Sequence, residues 1–379
     1  MRLTSQCLHQ FSRKISNTKH MSRTTIRLTD DLTAMGPAID LLRNGEVVAF
    51  PTETVYGLGA NALNSSAVQK IFTAKGRPSD NPLIVHISSL NMLKDLVAEE
   101  AFPRPGTTIH KLCEELWPGA ITFLFPKSDR VPDNVTAGQP TVAVRMPSHP
   151  IAKYLIETAG VPVAAPSANV SGRPSPTKAE HVLQDLDGII PCVIDGGNTN
   201  YGLESTVLDI NRDPPLILRP GGVTFEQLKK LIPNVQVYER SVHGSQMAEK
   251  PATPGLKYRH YSPNALVLLF EYNSDPTVTS LKEKMKKRVE ELKREGKRIG
   301  IIHVHSGVKM DEEWMGDQVI VYPLGDESRP DVVAQGIFSA LRSLDDKKVD
   351  CIMVEGISEE NEGMAVMNRV RKAAAETIQ

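Results

Sequence analysis

From Asp30 onward the apolar residues fall into two patterns, short continuous runs and longer segments with helical spacing. Helical spacing predicts helices over 33–44 and 65–75, whereas short apolar runs predict strands over 47–50 and 83–87. The same patterns continue to residue 234, with helices over 90–100, 108–116, 178–186 and 225–231, a helix that starts near His149, and strands over 141–146, 161–165, 192–195, 205–210 and 216–219. Strands that alternate with helices favour an open, twisted α/β sheet over residues 30–234.

Residues 235–264 interrupt this alternation. The stretch is polar and rich in proline, which is typical of an interdomain linker. Its segment Leu256-Lys257-Tyr258-Arg259-His260-Tyr261 combines aromatic and imidazole groups with two cations, a composition that suits packing over an anionic group better than it suits a plain spacer.

Residues 265–379 return to alternating elements and predict a second, smaller, Rossmann-like α/β domain. Its predicted strands cover 265–270, 299–304, 319–322 and 351–354, and its predicted helices cover 280–295, 331–344 and 363–375. This domain contains no phosphate-binding glycine motif. We therefore expect it to act as a scaffold or to control a lid, and a purely regulatory role is the alternative.

The first 29 residues differ in composition, because they hold six Arg and Lys residues and no acid before Asp30. Basic, Ser/Thr-rich and acid-free segments are typical of mitochondrial transit peptides, and a disordered basic tail is the alternative. Met21 is a second possible start, from which a shorter chain would stay in the cytosol. We therefore expect both cytoplasmic and mitochondrial localisation.

Composition narrows the classes of function. Hydrophobic residues make up 40% of the 379 positions and charged residues 23%, which is the globular range. The net charge of -1 gives no global attraction to nucleic acid. Four cysteines that lie far apart indicate neither a disulfide framework nor a zinc site. No apolar run reaches membrane-spanning length, so we expect no membrane partner.

The segment Pro51-Thr52-Glu53-Thr54-Val55-Tyr56-Gly57-Leu58-Gly59 follows a predicted strand directly. Thr54 would then lie at the carboxyl edge of the sheet, where open α/β sheets bind ligands. An ordinary strand-to-helix turn is the alternative. The sequence has neither a GxxxxGK[ST] nor a GxGxxG motif, so a bound nucleotide would depend on side-chain cations.

Cations of that kind occur at two places. Lys75 and Arg77 bracket a glycine in a proline-stiffened loop, and Arg and Lys are the usual phosphate-binding side chains. Arg145 lies in an otherwise apolar strand, where a guanidinium needs an anionic partner. That partner is either a ligand or a carboxylate of the protein. His86 also lies on an apolar strand, where a histidine satisfied within the core is the alternative.

Further polar residues follow other predicted strands. Ser167 and Asn169 come after small residues that would let a flat ligand approach, and Ser175 lies in the next loop. A simple Asx or Ser turn is the alternative. Ser205 and Arg219 add a hydroxyl and another cation near strand ends.

In this order, the motifs Pro51–Gly59, Lys75-x-Arg77, Ser167-x-Asn169, Gly202-x-Glu204-Ser205-Thr206 and Arg219-Pro220-Gly221 closely resemble the YrdC domain family. The linker Pro254–Pro263 and the segment Ala365–Ala374 resemble the longer Sua5 branch of that family. The resemblance extends from about residue 30 to the end of the chain. Several motifs in the right order are more specific than any one of them.

The resemblance implies a nucleotidyltransferase that makes threonylcarbamoyl-AMP and pyrophosphate from L-threonine, bicarbonate or CO2, and ATP. Other proteins, a tRNA threonylcarbamoyl transferase complex, would transfer the acyl group to form N6-threonylcarbamoyladenosine (t6A) in tRNAs that read codons starting with A. Mg²⁺ would arrive on the phosphates of ATP, and we assign no metal ligands in the protein.

The same resemblance assigns residues to each substrate. L-Threonine would contact Thr54, His86, Arg145, Ala165 and Ser205, with Arg145 on its carboxylate. ATP would contact Arg77, Asn81, Thr141, Ser167, Ser175, Arg219 and Tyr258. Lys75 and Asn169 complete the signature and support catalysis. Since a mixed anhydride hydrolyses in open water, residues 257–261 are expected to form a lid.

Two other classes of function compete with this assignment. The first is a double-stranded RNA-binding or tRNA-binding module without catalysis, because residues 282–298 are rich in Lys and Arg. Interspersed glutamates favour a solvated amphipathic helix there, which leaves weak RNA binding as an expectation. The second is a metal-dependent lyase or hydrolase that uses His303 and His305, for which no third ligand is evident.

Overall fold

A computed structural model describes residues 24–238, 260–271, 278–304 and 316–379. It contains two sheets. The first has eleven strands in the order β1-β8-β2-β3-β7-β4-β6-β5-β9-β10-β11, and the second has five in the order β14-β13-β15-β12-β16. The strands are β1 Ile26–Leu28, β2 Val48–Phe50, β3 Gly57–Asn61, β4 Ile84–His86, β5 Ile121–Pro126, β6 Thr141–Arg145, β7 Val163–Ala164, β8 Cys192–Ile194, β9 Thr206–Asp209, β10 Leu216–Arg219, β11 Gln236–Val237, β12 Leu266–Phe270, β13 Ile299–His303, β14 Val319–Pro323, β15 Cys351–Glu355 and β16 Glu376–Ile378.

Helices connect these strands and cover the faces of both sheets. Two short 3-10 helices at Leu32–Met35 and Glu99–Ala101 accompany them. The α-helices are α1 Gly36–Arg43, α2 Ser65–Lys75, α3 Leu90–Leu93, α4 Thr108–Leu116, α5 Asp133–Thr136, α6 Pro150–Ala159, α7 Ala179–Leu186, α8 Phe225–Leu231, α9 Val278–Arg294, α10 Pro330–Asp346 and α11 Gly363–Ala373. The expected α/β fold with two α/β domains is confirmed.

The first sheet is mixed and buried on both faces. In β2, Val48 and Phe50 pack into one core cluster, whereas Ala49 and the preceding Val47 pack into the other. Strands β2 and β3 are antiparallel, and β4 and β6 are parallel. The central strands of the sheet therefore end on two different edges, and loops from both directions can converge near its middle.

Two boundaries drawn from the sequence are wrong. Residues 26–28 fall within the predicted N-terminal basic segment, but they form β1, which pairs in parallel with β8 at the edge of the sheet. The Arg27 guanidinium forms ion pairs with Asp195 and Glu180 there. Residues 236–237, which fall within the predicted linker, form β11 beside β10. The composition of these short segments does not reveal their pairing, because edge strands carry polar residues.

The second sheet is entirely parallel, and its helices lie on both faces. Helix α9 packs its apolar residues on one face, while α10 and α11 cover the other. The cluster beneath α10 and α11 also contains Val55 and Leu203 of the first domain. The apolar core of the second domain therefore extends onto the surface of the first domain.

One glycine makes this close docking possible. Gly202 has φ +71°, and a Cβ placed there would lie 2.4 Å from the carbonyl oxygen of Gln335 in α10. Any side chain would push the helix away. In the part of the chain that the structure describes, no helix is long and apolar enough to cross a membrane.

Candidate active site

One pocket collects residues from the ends of several elements of the first sheet. Nine of the residues assigned from the sequence line it: Lys75, Arg77, His86, Ala165, Ser167, Asn169, Ser175, Ser205 and Arg219. His260 and Tyr261, two of the lid candidates, line it as well. Residues from both predicted substrate groups therefore face one cavity.

Lys75 ends α2 and is fully buried beneath the pocket. Its ammonium donates to the carbonyl oxygens of Ser167 and Asn169, which ties α2 to the loop after β7. Burial, together with the nearby Arg77 guanidinium, lowers the pKa of Lys75 well below its usual value. The Lys-x-Arg and Ser-x-Asn motifs thus form one hydrogen-bonded unit.

Arg77 follows Gly76, which closes α2 in a left-handed conformation. The Arg77 Nε donates to the carbonyl oxygen of Asn81 at 3.2 Å, and its Nη2 donates to that of Pro82 at 2.9 Å. Burial lowers the pKa of Arg77 to about 10, so the group remains a cation at neutral pH. Because its partners are carbonyls and not carboxylates, the positive charge is not neutralised.

Glu204 is the carboxylate that lines the pocket. It belongs to a motif of the sequence, but the motif gave it no role. Its Oε1 accepts the Ser175 hydroxyl at 2.6 Å, and its Oε2 accepts Arg369 Nε of α11 at 2.9 Å. Burial opposes ionisation, but Arg369 and Arg219 lower the pKa of Glu204 to about 2. A residue of the second domain therefore holds the acceptor that orients Ser175.

A second arginine of the C-terminal domain supports the same loop. Arg342 of α10 donates from Nη2 to the carbonyl oxygen of Pro174 at 2.6 Å and to Asp185 at 2.8 Å. Ser262 N also donates to the carbonyl oxygen of Gly172 at 2.8 Å. The loop that carries Ser175 is thus held between the two domains. The pattern of apolar residues gave no sign of this, because both arginines lie in regular helical sequence.

Arg219 ends β10 and reaches back to Ser205. Its Nε and Nη2 donate to the Ser205 carbonyl oxygen at 3.2 Å and 2.8 Å, and Nη2 lies 3.3 Å from Ser205 Oγ. Gly221 permits this approach, since a Cβ there would lie 2.3 Å from the Glu204 carbonyl oxygen. Arg219, assigned to ATP, and Ser205, assigned to threonine, are therefore direct neighbours.

Arg145 is paired with a carboxylate of the protein, Glu53. The sequence alone did not distinguish such a partner from a bound ligand. Its Nη2 lies 2.6 Å from Glu53 Oε1, its Nη1 donates to Thr54 Oγ1 at 2.8 Å, and its Nε donates to the Gly119 carbonyl oxygen at 3.1 Å. Burial would raise the pKa of Glu53, but Arg145 lowers it. The buried guanidinium is thus already compensated without a ligand. The sequence signal for Glu53 was a carboxylate in the Pro51–Gly59 motif, close after an apolar strand.

His86 ends β4 beside Arg145, its register partner in β6. Burial and the adjacent Arg145 lower the pKa of His86 to about 3, so the imidazole is neutral at physiological pH. Its Nδ1 is buried and has no hydrogen-bond partner in the described structure. An orphaned polar atom on a pocket wall is suited to a ligand contact.

Four other assigned residues do not line this pocket. Thr54 and Arg145 are buried and hydrogen-bonded to each other, and Asn81 lies buried in the loop held by Arg77. Thr141 begins β6 opposite Pro126. Tyr258, like Lys257, Arg259 and residues 1–23, which include Met21, lies outside the described residues.

One of the two histidines considered as metal ligands in the C-terminal domain, His303, has a carboxylate partner. His303 Nδ1 lies 2.9 Å from Glu355 Oε2, and His305 lies outside the described residues. Within residues 24–238, 260–271, 278–304 and 316–379, no group of three potential ligands is assembled. His303 thus has Glu355 as its side-chain partner at the carboxyl edge of the second sheet.

Comparisons with known proteins agree with these two domains. A family described as "Telomere recombination" (Sua5_yciO_yrdC) matches residues 40–221, and the family "Threonylcarbamoyl-AMP synthase, C-terminal domain" matches residues 223–375. The threonylcarbamoyl-AMP synthases of Pyrococcus abyssi and Bacillus subtilis are each 45% identical to this chain. The alignments cover 90% and 92% of this chain, and 94% and 96% of the respective relatives.

Solved structures agree as well. Pyrococcus abyssi Sua5 in complex with L-threonine superposes with a TM-score of 0.82 at 42% identity, covering 94% of this chain and 99% of that chain. A doubly substituted form of the same protein gives a TM-score of 0.83, with 93% and 98% coverage. With both domain families matched in order along the chain, this protein belongs to the two-domain Sua5 branch of the threonylcarbamoyl-AMP synthase family.

Proposed function

We propose that this protein is an L-threonylcarbamoyladenylate synthase, which forms threonylcarbamoyl-AMP and pyrophosphate from L-threonine, bicarbonate or CO2, and ATP. The observation that carries the proposal is the shared pocket, in which Lys75, Arg77 and Arg219 face the same cavity as His86 and Ser205. A reaction that joins an amino acid to a nucleotide needs both groups within one cavity.

The pocket suits phosphoryl chemistry without a protein nucleophile. The carbamate of threonine attacks the α-phosphate of ATP, and pyrophosphate leaves. Positioning and charge neutralisation supply most of the catalysis in such reactions. Arg77 and Arg219 are oriented at the pocket wall by backbone carbonyls, and guanidinium groups are suited to bind polyphosphate oxygens.

Mg²⁺ accompanies ATP in this proposal. Glu204, the carboxylate of the pocket wall, is bonded through one oxygen to Ser175 and through the other to Arg369. Mg²⁺ is usually bound through substrate phosphates and few protein groups. The ion therefore enters on the nucleotide, where it neutralises phosphate charge.

In this proposal, residues at the ends of β4 and β6 and Ser205 recognise L-threonine. Arg145, oriented by Glu53 and Thr54, is the cation assigned to the amino-acid carboxylate. His86, neutral and with an unbonded Nδ1, supplies a short-range polar contact. Buried polar groups of this kind reject analogues that leave them unpaired.

The product leaves for a tRNA threonylcarbamoyl transferase complex, which forms t6A in tRNAs that read codons starting with A. His260 and Tyr261 contribute to a lid that keeps water from the mixed anhydride. Cytoplasmic and mitochondrial forms, with the shorter one starting at Met21, remain part of the proposal.

Pyrophosphate release by the purified full-length chain tests this proposal. We expect release that requires ATP, L-threonine and bicarbonate together, and no release when L-serine replaces L-threonine. Release without threonine dependence, or none from folded protein, would contradict synthase activity. Salt-dependent tRNA binding in the inactive case would instead support the RNA-binding module.

A further inference from the structure

A pair of buried hydroxyl groups lies behind the pocket wall, and only one of them faces the cavity. Thr122 is the second residue of β5 and is 0% exposed, and Ser205, which is 1% exposed, immediately precedes β9. The two strands are parallel neighbours, which brings Thr122 Oγ1 within 2.8 Å of Ser205 Oγ. Ser205 lines the pocket and Thr122 does not.

The surroundings determine which hydroxyl is the donor. In the described structure, the Thr122 hydroxyl has Ser205 Oγ as its hydrogen-bond partner and no other. If Ser205 donated to Thr122, the Thr122 proton would be buried without an acceptor. A buried unsatisfied donor is costly, so Thr122 donates and Ser205 accepts.

Arg219 adds a second constraint on Ser205. A guanidinium can only donate, and Arg219 Nη2 points at Ser205 Oγ from 3.3 Å. A serine oxygen has two acceptor positions. With Thr122 occupying one and Arg219 the other, the Ser205 hydrogen is left to point away from both, toward the cavity.

We infer that Thr122 is a positioning residue that fixes Ser205 as a hydrogen-bond donor to an acceptor oxygen of the L-threonine substrate. This inference rests on the proposed function, because it specifies how one residue of the amino-acid site is oriented. Ser205 then favours an oxygen acceptor at this point of the site and disfavours the ammonium of a misplaced amino acid. Thr122 acts through Ser205 alone and never touches the substrate.

Thr122→Val tests the inference, because valine has nearly the shape of threonine and lacks the hydroxyl. We expect the KM for L-threonine to rise about tenfold, which corresponds to the loss of one hydrogen bond to a charged group. The KM for ATP should stay within about twofold, whereas Thr122→Ser should restore the KM for threonine. If valine prevents folding, as judged by thermal melting, Thr122→Ala replaces it with the same expectation.

A double-mutant cycle separates this role from a general packing defect. In a Ser205→Ala background, Thr122→Val should cause no further loss of threonine affinity, since the hydroxyl that it orients is gone. Calorimetric titration of L-threonine gives the same comparison without turnover. Equal effects of Thr122→Val in both backgrounds, or a Thr122→Ser variant as impaired as the valine variant, would overturn the inference.

The two proposals fail in different ways. A wild-type protein that binds L-threonine without releasing pyrophosphate would contradict the synthase proposal, and the calorimetric cycle would still decide the role of Thr122. A wild-type protein that shows neither binding nor turnover would contradict both.

Discussion

Two groups of buried cations in this protein have different hydrogen-bond partners. In the first domain, Lys75, Arg77 and Arg219 are bonded to backbone carbonyl oxygens. In the second, Arg342 and Arg369 are bonded to the carboxylates of Asp185 and Glu204, both of which belong to the first domain. Carbonyl partners orient a cation without cancelling its charge, whereas carboxylate partners neutralise it.

The two groups of cations therefore have different roles, although the sequence does not distinguish them. The carbonyl-bonded cations line the pocket, where they can face an anionic ligand, while Arg342 and Arg369 fix the position of the pocket's wall. Arg342 and Arg369 are among the largest fully buried side chains, each 1% exposed. Such cations should affect stability and domain docking before they affect substrate charge.

The largest expected effect concerns the carboxylate-bonded group. Arg369→Met should lower the free energy of unfolding by about 3–5 kcal/mol, because Glu204 would remain buried without its partner. Arg371→Met is the matched control, since Arg371 lies on the same helix, is paired with Glu271 and Glu359, and is 42% exposed; its loss should cost less than about 1 kcal/mol. Urea unfolding measures both, and equal costs would break the distinction.

Substitution of a carbonyl-bonded cation should affect catalysis more than stability. Arg77→Met should reduce kcat/KM for ATP by about 10- to 100-fold, as expected for the loss of charged hydrogen bonds to phosphate. Its thermal stability should change less than that of Arg369→Met. Arg104→Met, at an exposed position of the same domain, should leave kinetics unchanged. A large loss of stability with unchanged kinetics would place Arg77 among the structural cations.

A substitution at an uncharged residue should also weaken the docking of the second domain onto the first. Gly202→Ala should destabilise the protein by about 1–3 kcal/mol through its positive φ, and should also loosen the contact with α10. Gly160→Ala controls for backbone strain, because Gly160 has φ +72° and a Cβ added there would have no atom within 4 Å. Limited proteolysis should cut between the domains faster in the Gly202 variant only.

Low pH should weaken the contact between Glu204 and Arg369, which joins the two domains. Its pKa is about 2 in the folded protein against an ordinary value of 4.5, so its stabilising contribution is complete above about pH 4.5 and is lost as the pH falls toward 2. By about pH 3.5 the loss should be roughly 1 kcal/mol. Glu204→Gln should lack this part of the pH dependence in urea unfolding. An identical pH profile for both proteins would show that folding does not shift the pKa of Glu204.

Local chemistry explains where sequence-based prediction worked. Helix α2 runs from Ser65 to Lys75 as predicted, because Asn64 caps its start and Gly76 closes its end. Strand β3 was not predicted, because Gly57-Leu58-Gly59 lacks the β-branched residues that mark strands. The helix predicted over 90–100 stops at Leu93, and turns follow it.

Residues of the pocket wall could be predicted from motifs, but their partners could not. The motifs indicated Arg145, Ser175 and Ser205. Their partners are Glu53 for Arg145, Glu204 held by Arg369 for Ser175, and Thr122 for Ser205. These partners lie far along the chain or carry no distinctive pattern. Their contacts arise from strand order and domain docking, neither of which follows from hydrophobic periodicity.

Strand β1 sets a limit on how far the N-terminus can be shortened. Thr25 donates from Oγ1 to the Ile190 carbonyl oxygen at 2.9 Å, and Arg27 is paired with Asp195. A protease cut or a start codon downstream of these residues would expose the edge of β8 to pairing with other chains. Translation from Met21 leaves the whole strand in place. Any processed form must therefore be trimmed before Thr25 if it is to keep the first sheet closed at this edge.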